Sequence, residues 1–147
     1  MKKGKGKIKM WILIVLGVLV VGLGIGFLVM EPGRREAMNL TIEDLDLRGL
    51  KDGIYTGEYK GTKDSLRNCK VEVTVASGKV TAVKVLEGAL SKGDTPVVIR
   101  GGQTIDTLFN RVIDAQSLQV DVISGATITS KVHLKAVENA LKQALAN

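Results

Sequence analysis

Hydrophobic and polar positions change rhythm several times along this chain, and each change marks an element. Met10 to Met30 is an unbroken apolar run without a charged residue. At about 1.5 Å of rise per residue, a helix of that length crosses a hydrocarbon core of about 30 Å. The run predicts a transmembrane helix over 10–30. From Cys69 to Ala76 the pattern has period two, with Cys69, Val71, Val73 and Val75 on one face and Lys70, Glu72 and Thr74 on the other. That alternation predicts a strand with one covered face. Ser77-Gly78 predicts a tight turn into a second β-rich run, Val80 to Leu86, so the two form a hairpin. Ile54 to Tyr59, after an Asp52-Gly53 turn, predicts a further strand.

The period then lengthens. Ile105, Leu108, Phe109, Val112 and Ile113 recur at helical spacing, and from Ser130 onward so do Leu134, Val137, Leu141, Ala144 and Leu145. Between these helices Leu118, Val120 and Val122 alternate and predict another strand. Leu90 to Gly102 has no period and predicts a long loop, a feature often tied to function. Pro32-Gly33 predicts a helix break just beyond the apolar run, and Thr41-Ile42-Glu43-Asp44 a capped helical turn. The fold class is α+β: an antiparallel sheet with two main helices, preceded by a single transmembrane helix. The expected divisions are a basic segment at 1–9, the membrane helix at 10–30, a stem at 31–51 and one domain at 52–147.

Charge sharpens this picture. The net charge of +6 comes from the N-terminus: five of the 21 basic residues precede Met10, leaving 16 against 15 acidic residues in the remainder. A nucleic-acid domain keeps its basic excess in the folded part, so that class is disfavoured. Aromatic side chains for base stacking are also scarce, with Tyr55, Tyr59 and Phe109 alone beyond the apolar run. Lysines before the apolar run are expected to stay cytoplasmic by the positive-inside rule. No Ala-x-Ala pattern follows the run, which favours a retained anchor over a cleaved signal. The chain is therefore expected in the cell membrane, single-pass, with the domain extracytoplasmic. Gly22 and Gly26 are read as ordinary membrane-helix glycines. The lone Cys69 excludes an internal disulfide and, with the lone His133, a Cys/His zinc site. Cys69 itself is read as a small core residue.

Candidate chemistry concentrates in Asp121-Val122-Ile123-Ser124-Gly125-Ala126-Thr127-Ile128-Thr129-Ser130. Gly125 and Ala126 let a ligand approach the backbone closely. Hydroxyls, free N–H groups and the start of the final helix together favour a phosphate. On residue chemistry alone, an ordinary capped loop explains the stretch about as well. A ligand contact such as a phosphate is open to His133, which is read first as a packed or surface histidine; Arg100 could meet an anion and is read first as a solvated loop charge. No hydrolase elbow, P-loop or dinucleotide fingerprint is present.

Asp121-x-x-Ser124-Gly125-Ala126-Thr127 resembles the flavinylation motif of the FMN-binding domain family, which includes flavin-bearing subunits of sodium-translocating electron-transfer complexes. The opening Asp52-Gly53-Ile54-Tyr55-Thr56-Gly57, the hairpin turning at Ser77-Gly78-Lys79, and the following Thr129-Ser130 are similar too. The resemblance implies FMN joined by a phosphoester to Thr127, placed there by a separate flavin transferase from FAD. It implies that Ser124, Gly125 and Ala126 shape the loop and that Asp121 fixes its start, with Thr129 and Ser130 completing the cofactor site. Asp94-Thr95-Pro96 resembles the family's Glu-Thr-Pro-Gly segment near the flavin ring, with Val97 in place of the glycine, so Thr95 is a further candidate contact. The function implied is electron transfer to an unidentified redox partner protein rather than stand-alone catalysis. A flavin-free envelope interaction module and a flavin-dependent reductase of a small molecule remain the alternatives.

Overall fold

The structure is a computed structural model describing residues 4–90 and 95–146. The chain divides into two compact units, Met1–Pro32 and Gly33–Asn147. The first is helical. Helix α1 spans Gly4–Met38, and every side chain from Met10 to Val29 on it is exposed. It is long and apolar enough to cross a membrane. The helix does not break at Pro32-Gly33 as the sequence predicts. Proline removes one N–H and crowds one carbonyl, a local cost that other contacts can outweigh. The last turns of α1, from Gly33 on, are part of the second unit and packed within it: Ala37 is fully buried, and Glu36 accepts N–H bonds from Thr62 at 2.9 Å and Lys63 at 3.0 Å.

The second unit is built on strands β1 (Gly53–Tyr59), β2 (Cys69–Ala76) and β3 (Lys79–Glu87), an antiparallel meander in the order β1-β2-β3. Helix α3 (Thr127–Ala146) crosses β1 and β2, and helix α2 (Ile105–Ala115) packs on β3. Cys69, Val71, Val73 and Val75 are buried in the predicted phase. The β2–β3 hairpin turns at Ser77-Gly78 with φ of 55° and 71°, the left-handed pair that matches strand twist. Asp52 Oδ1 accepts the Gly78 N–H at 2.8 Å and ties the turn to the start of β1. Register shifts at Lys70/Val71 and Thr74/Val75 let β3 skip Leu86 and Thr81. Val80, Val83 and Val85 thereby keep facing the core while Leu86 turns outward.

The predicted strand at Leu118–Val122 does not form. At Val80, the outer edge of β3 is paired by a side chain instead of a strand. Gln116 Oε1 accepts the Val80 N–H at 2.9 Å, and Gln116 Nε2 donates to the Val80 carbonyl at 2.8 Å. The segment runs as irregular chain that still buries Leu118 and Ile123.

Residues 41–44 form no helical turn either. They lie along α3, bound by its charged side chains. Lys131 Nζ donates to the carbonyls of Met38 and Leu40, Lys135 Nζ to that of Thr41, and Glu138 Oε2 accepts the Glu43 N–H at 3.0 Å. Leu47 and Leu50 join the core, and the Lys51 N–H reaches the Ala144 carbonyl. The compact unit thus begins at Gly33 and takes in residues read from sequence as stem.

Candidate functional site

The segment before α3 is a β-turn. The Ala126 N–H donates to the Ile123 carbonyl at 2.9 Å, with Gly125 at the third position and φ of +75°. Such a turn needs a left-handed residue there, which glycine adopts without a steric cost. Ser124 and Gly125 are exposed, Ala126 is buried, and Thr127 is the first residue of the helix. The first-turn N–H groups of α3 have no carbonyl within the helix and give its start partial positive character.

Ser130 holds this turn from beneath. It is fully buried; its Oγ accepts the Ile123 N–H at 3.1 Å and donates to the Ala126 carbonyl at 2.9 Å. The side chain has no exposed surface for a ligand, and its role is to fix the turn. Ser130→Ala leaves the Ile123 N–H buried without that acceptor. The substitution is expected to cost about 1–3 kcal/mol in denaturant unfolding.

Arg100 reaches the turn from another part of the chain. A Cβ at Gly125 would lie 2.7 Å from Arg100 Nε and 3.0 Å from its Cζ, so the arginine stem rests on the glycine. Arg100 is presented by a tight turn through Gly101 and Gly102, both of positive φ, closed by the Gln103 N–H on the Arg100 carbonyl at 2.9 Å. Arg100 is exposed, as expected of a solvated loop charge, while its stem lies over Gly125.

Beside Thr127 a cleft of about 450 Å³ opens between the end of β3, the loop after it and the first turns of α3. Leu66, Val97, Ile99, Ile128 and Val132 supply apolar wall, Arg67 and Asn68 line it before β2, and Thr129 and His133 come from the helix. The size falls in the range of about 300–1,000 Å³ usual for small-molecule sites. His133 is 2% exposed, which settles the sequence alternatives in favour of a packed histidine. Its Nδ1 lies 2.8 Å from the Thr129 carbonyl, while Nε2 is buried with no hydrogen-bond partner among the described residues. Burial pushes the imidazole below its ordinary pKa, against a smaller opposing effect of the Thr129 carbonyl. Gly88, with φ of +124°, packs between His133 Nε2 and Cys69 Cβ; a Cβ there would come within 2.9 Å of each. Burial pushes the Cys69 thiol up to about 12, as befits a core residue and not a nucleophile.

The other predicted residues are placed as follows. Asp121 is exposed, and its carbonyl accepts a bond from Arg111 Nη1. Thr129 lines the cleft. Thr95 is exposed and is not part of the cleft wall, while Asp94 lies outside the described residues. The turn, Thr127, Thr129 and Ser130 therefore come together at the start of α3.

The FMN-binding domain family matches residues 67–142, which takes in β2, β3, α2, the turn and most of α3. The chain belongs to that family. Within the matched part of this FMN-binding domain lie Gly88, Arg100, Thr127 and His133. The domain is similar to an uncharacterized protein of Treponema pallidum (strain Nichols), 32% identical over 94 residues, which are 64% of this chain and 24% of that protein. The chain thus spans about a quarter of that curated relative's length. A Clostridium perfringens protein of known crystal structure aligns with a TM-score of 0.50 at 31% identity, covering 66% of this chain and 90% of that one.

Proposed function

We propose that this chain is a membrane-anchored flavoprotein that carries FMN on Thr127 and passes electrons on the extracytoplasmic side. FMN binding follows from family membership. The tether rests on one observation above all: Thr127 begins α3, straight after a turn that only glycine forms readily, with an arginine lying across that turn. In this reading the α3 amides and the Arg100 guanidinium hold the phosphodiester, since both favour an anion. The Thr127 hydroxyl oxygen forms the new bond to the flavin-side phosphorus of FAD. The pyrophosphate P–O bond breaks, AMP leaves, and the hydroxyl proton passes to the transferase or solvent. The cleft that begins at Ile128 and Thr129 would receive the ring, with Leu66, Val97, Ile99 and Val132 as its apolar wall. Flavin supplies the redox chemistry when bound, and the protein supplies its position and surroundings. The apolar stretch of α1 would hold the domain at the membrane, with the preceding lysines cytoplasmic.

The test is co-expression with a flavin transferase, followed by denaturing gel electrophoresis viewed by flavin fluorescence. A fluorescent band at the protein's mass is expected for the wild type and for Thr127→Ser, and none for Thr127→Ala. Fluorescence retained in Thr127→Ala would move the attachment elsewhere. A colourless wild type would favour the flavin-free module.

A further inference from the structure

His133 is the feature of the cleft that the tether leaves unexplained. Its Nδ1 faces the Thr129 carbonyl, a group that only accepts, so Nδ1 carries the proton of the neutral ring. Nε2 is then a bare acceptor lone pair, buried and unpartnered. A buried polar atom without a partner calls for an explanation. Around the ring, Gly88 packs between Nε2 and Cys69, and the tilted Phe109 ring lies 6.3 Å away centre to centre. A flat apolar ligand that brings one N–H fits both the walls and the lone pair.

The tether sets the reach. His133 lies six residues beyond Thr127 in α3, or about 9 Å along the helix axis at 1.5 Å per residue. A phosphate, a five-carbon chain and the ring attached to it are together long enough to cover that distance. Gly88 lines the cleft together with His133 and puts no side chain over Nε2.

We infer, resting on the FMN reading above, that His133 positions the flavin ring: its Nε2 accepts a hydrogen bond from the N3–H of the isoalloxazine seated in the cleft. N3–H is the ring N–H of the oxidised flavin, the form attached from FAD. The histidine serves as a neutral acceptor; its protonated form would present a donor and repel N3–H.

The experiment uses the full-length protein in detergent, loaded by a flavin transferase with FAD or with FAD methylated at N3. Wild type and His133→Leu are compared by intact mass, flavin fluorescence anisotropy and thermal unfolding without flavin. Both proteins are expected to gain FMN. Wild type with ordinary FMN holds the ring rigidly. His133→Leu loses that rigidity, N3-methylation of the wild-type flavin causes the same loss, and the two losses do not add. Without flavin, His133→Leu melts no lower than wild type, because it removes the unpartnered acceptor; the Thr129 carbonyl keeps its bond within the helix. Loaded proteins whose anisotropy responds to neither change would overturn the assignment of His133 while leaving the tether intact. A lower melting point without flavin, together with unchanged anisotropy on N3-methylation, would assign His133 a packing role only and overturn it likewise. A wild type that gains no FMN would overturn the flavin reading itself, and this inference with it.

Discussion

Gly57→Val is expected to unfold the domain or bring it close to unfolding. At Gly57 the sheet and α3 meet backbone to backbone. A Cβ there would overlap the Ala136 carbonyl and the Ala140 nitrogen. Overpacking against flexible side chains costs about 1–3 kcal/mol, because side chains give way. Here the obstacles are main-chain atoms in the middle of a 20-residue helix, and they cannot yield without moving α3 off β1 and β2. Moving α3 would uncover Val71, Val73, Val137 and Leu141, all fully buried. We expect a loss of about 3 kcal/mol or more, a large part of the 5–15 kcal/mol that holds a typical domain together. The cleft would go with it, since α3 forms one wall. Circular dichroism melts of Gly57→Val and Gly57→Ala would check this, with valine the worse of the two. Melting within a few degrees of wild type would mean that the close crossing is not what holds α3 in place.

Glu138→Ala has the second largest expected effect. The carboxylate sits on α3 with no exposure, 2.8 Å from both Lys135 Nζ and Lys142 Nζ, and its other oxygen takes the Glu43 N–H. Burial pushes its pKa up, but the bonds from Lys135, Lys142 and Glu43 outweigh that and hold it below the ordinary carboxylate value. Removal frees residues 41–44 from the helix and leaves Lys135, only 22% exposed, without its partner. Both lysines retain some contact with water, so the penalty falls short of a fully buried pair: about 2–3 kcal/mol by chemical denaturation. The folded pKa is depressed, so this contribution is complete above about pH 4.5 and fades as pH falls through the folded value. Glu138→Gln should therefore show a flatter loss of stability below pH 4.5 than wild type. His133 has the same sign in a different window. Its depressed pKa makes stability fall as pH drops below about 6.5, and Glu138→Gln should keep that part. An unchanged acid limb in Glu138→Gln would count against the carboxylate's role.

These residues show what the sequence made legible. Period-two alternation located Cys69, Val71, Val73 and Val75, because one face of β2 is covered and the other is not. The stripe of Ile105, Leu108, Phe109 and Val112 located α2 for the same reason at helical spacing. Glu138 was not legible. It belongs to a polar face by pattern, and it is buried because residues 41–51 fold back across that face. α3 also buries Ala136, Ala140 and Val132 outside its predicted stripe, the first two because β1 crosses close at Gly57 and the third against Cys69, while Leu145 stays 40% exposed. Leu118, Val120 and Val122 carry a strand's pattern without a strand's partner, and at Val80 Gln116 holds the edge of β3. Pattern reports which side chains are covered; it does not report whether a neighbour is available for the backbone.

The site divides along similar lines. Gly125 and Thr127 could be read locally, because the turn and helix start are encoded within a few residues. Arg100 and Gly88 meet the site only through the fold. His133 lines the cleft with Thr129 because they stand four residues apart on α3, and its unpartnered Nε2 shows only in the fold.

The most direct measurement is peptide mapping by tandem mass spectrometry of the full-length protein after co-expression with a flavin transferase. Ser124, Thr127, Thr129 and Ser130 are the competing hydroxyls within one short segment. The account predicts a mass gain of one FMN less one water, with fragment ions that place it on Thr127 alone. A gain on Ser124 or Thr129, or a segment without any gain in a protein shown to have met the transferase, would contradict it.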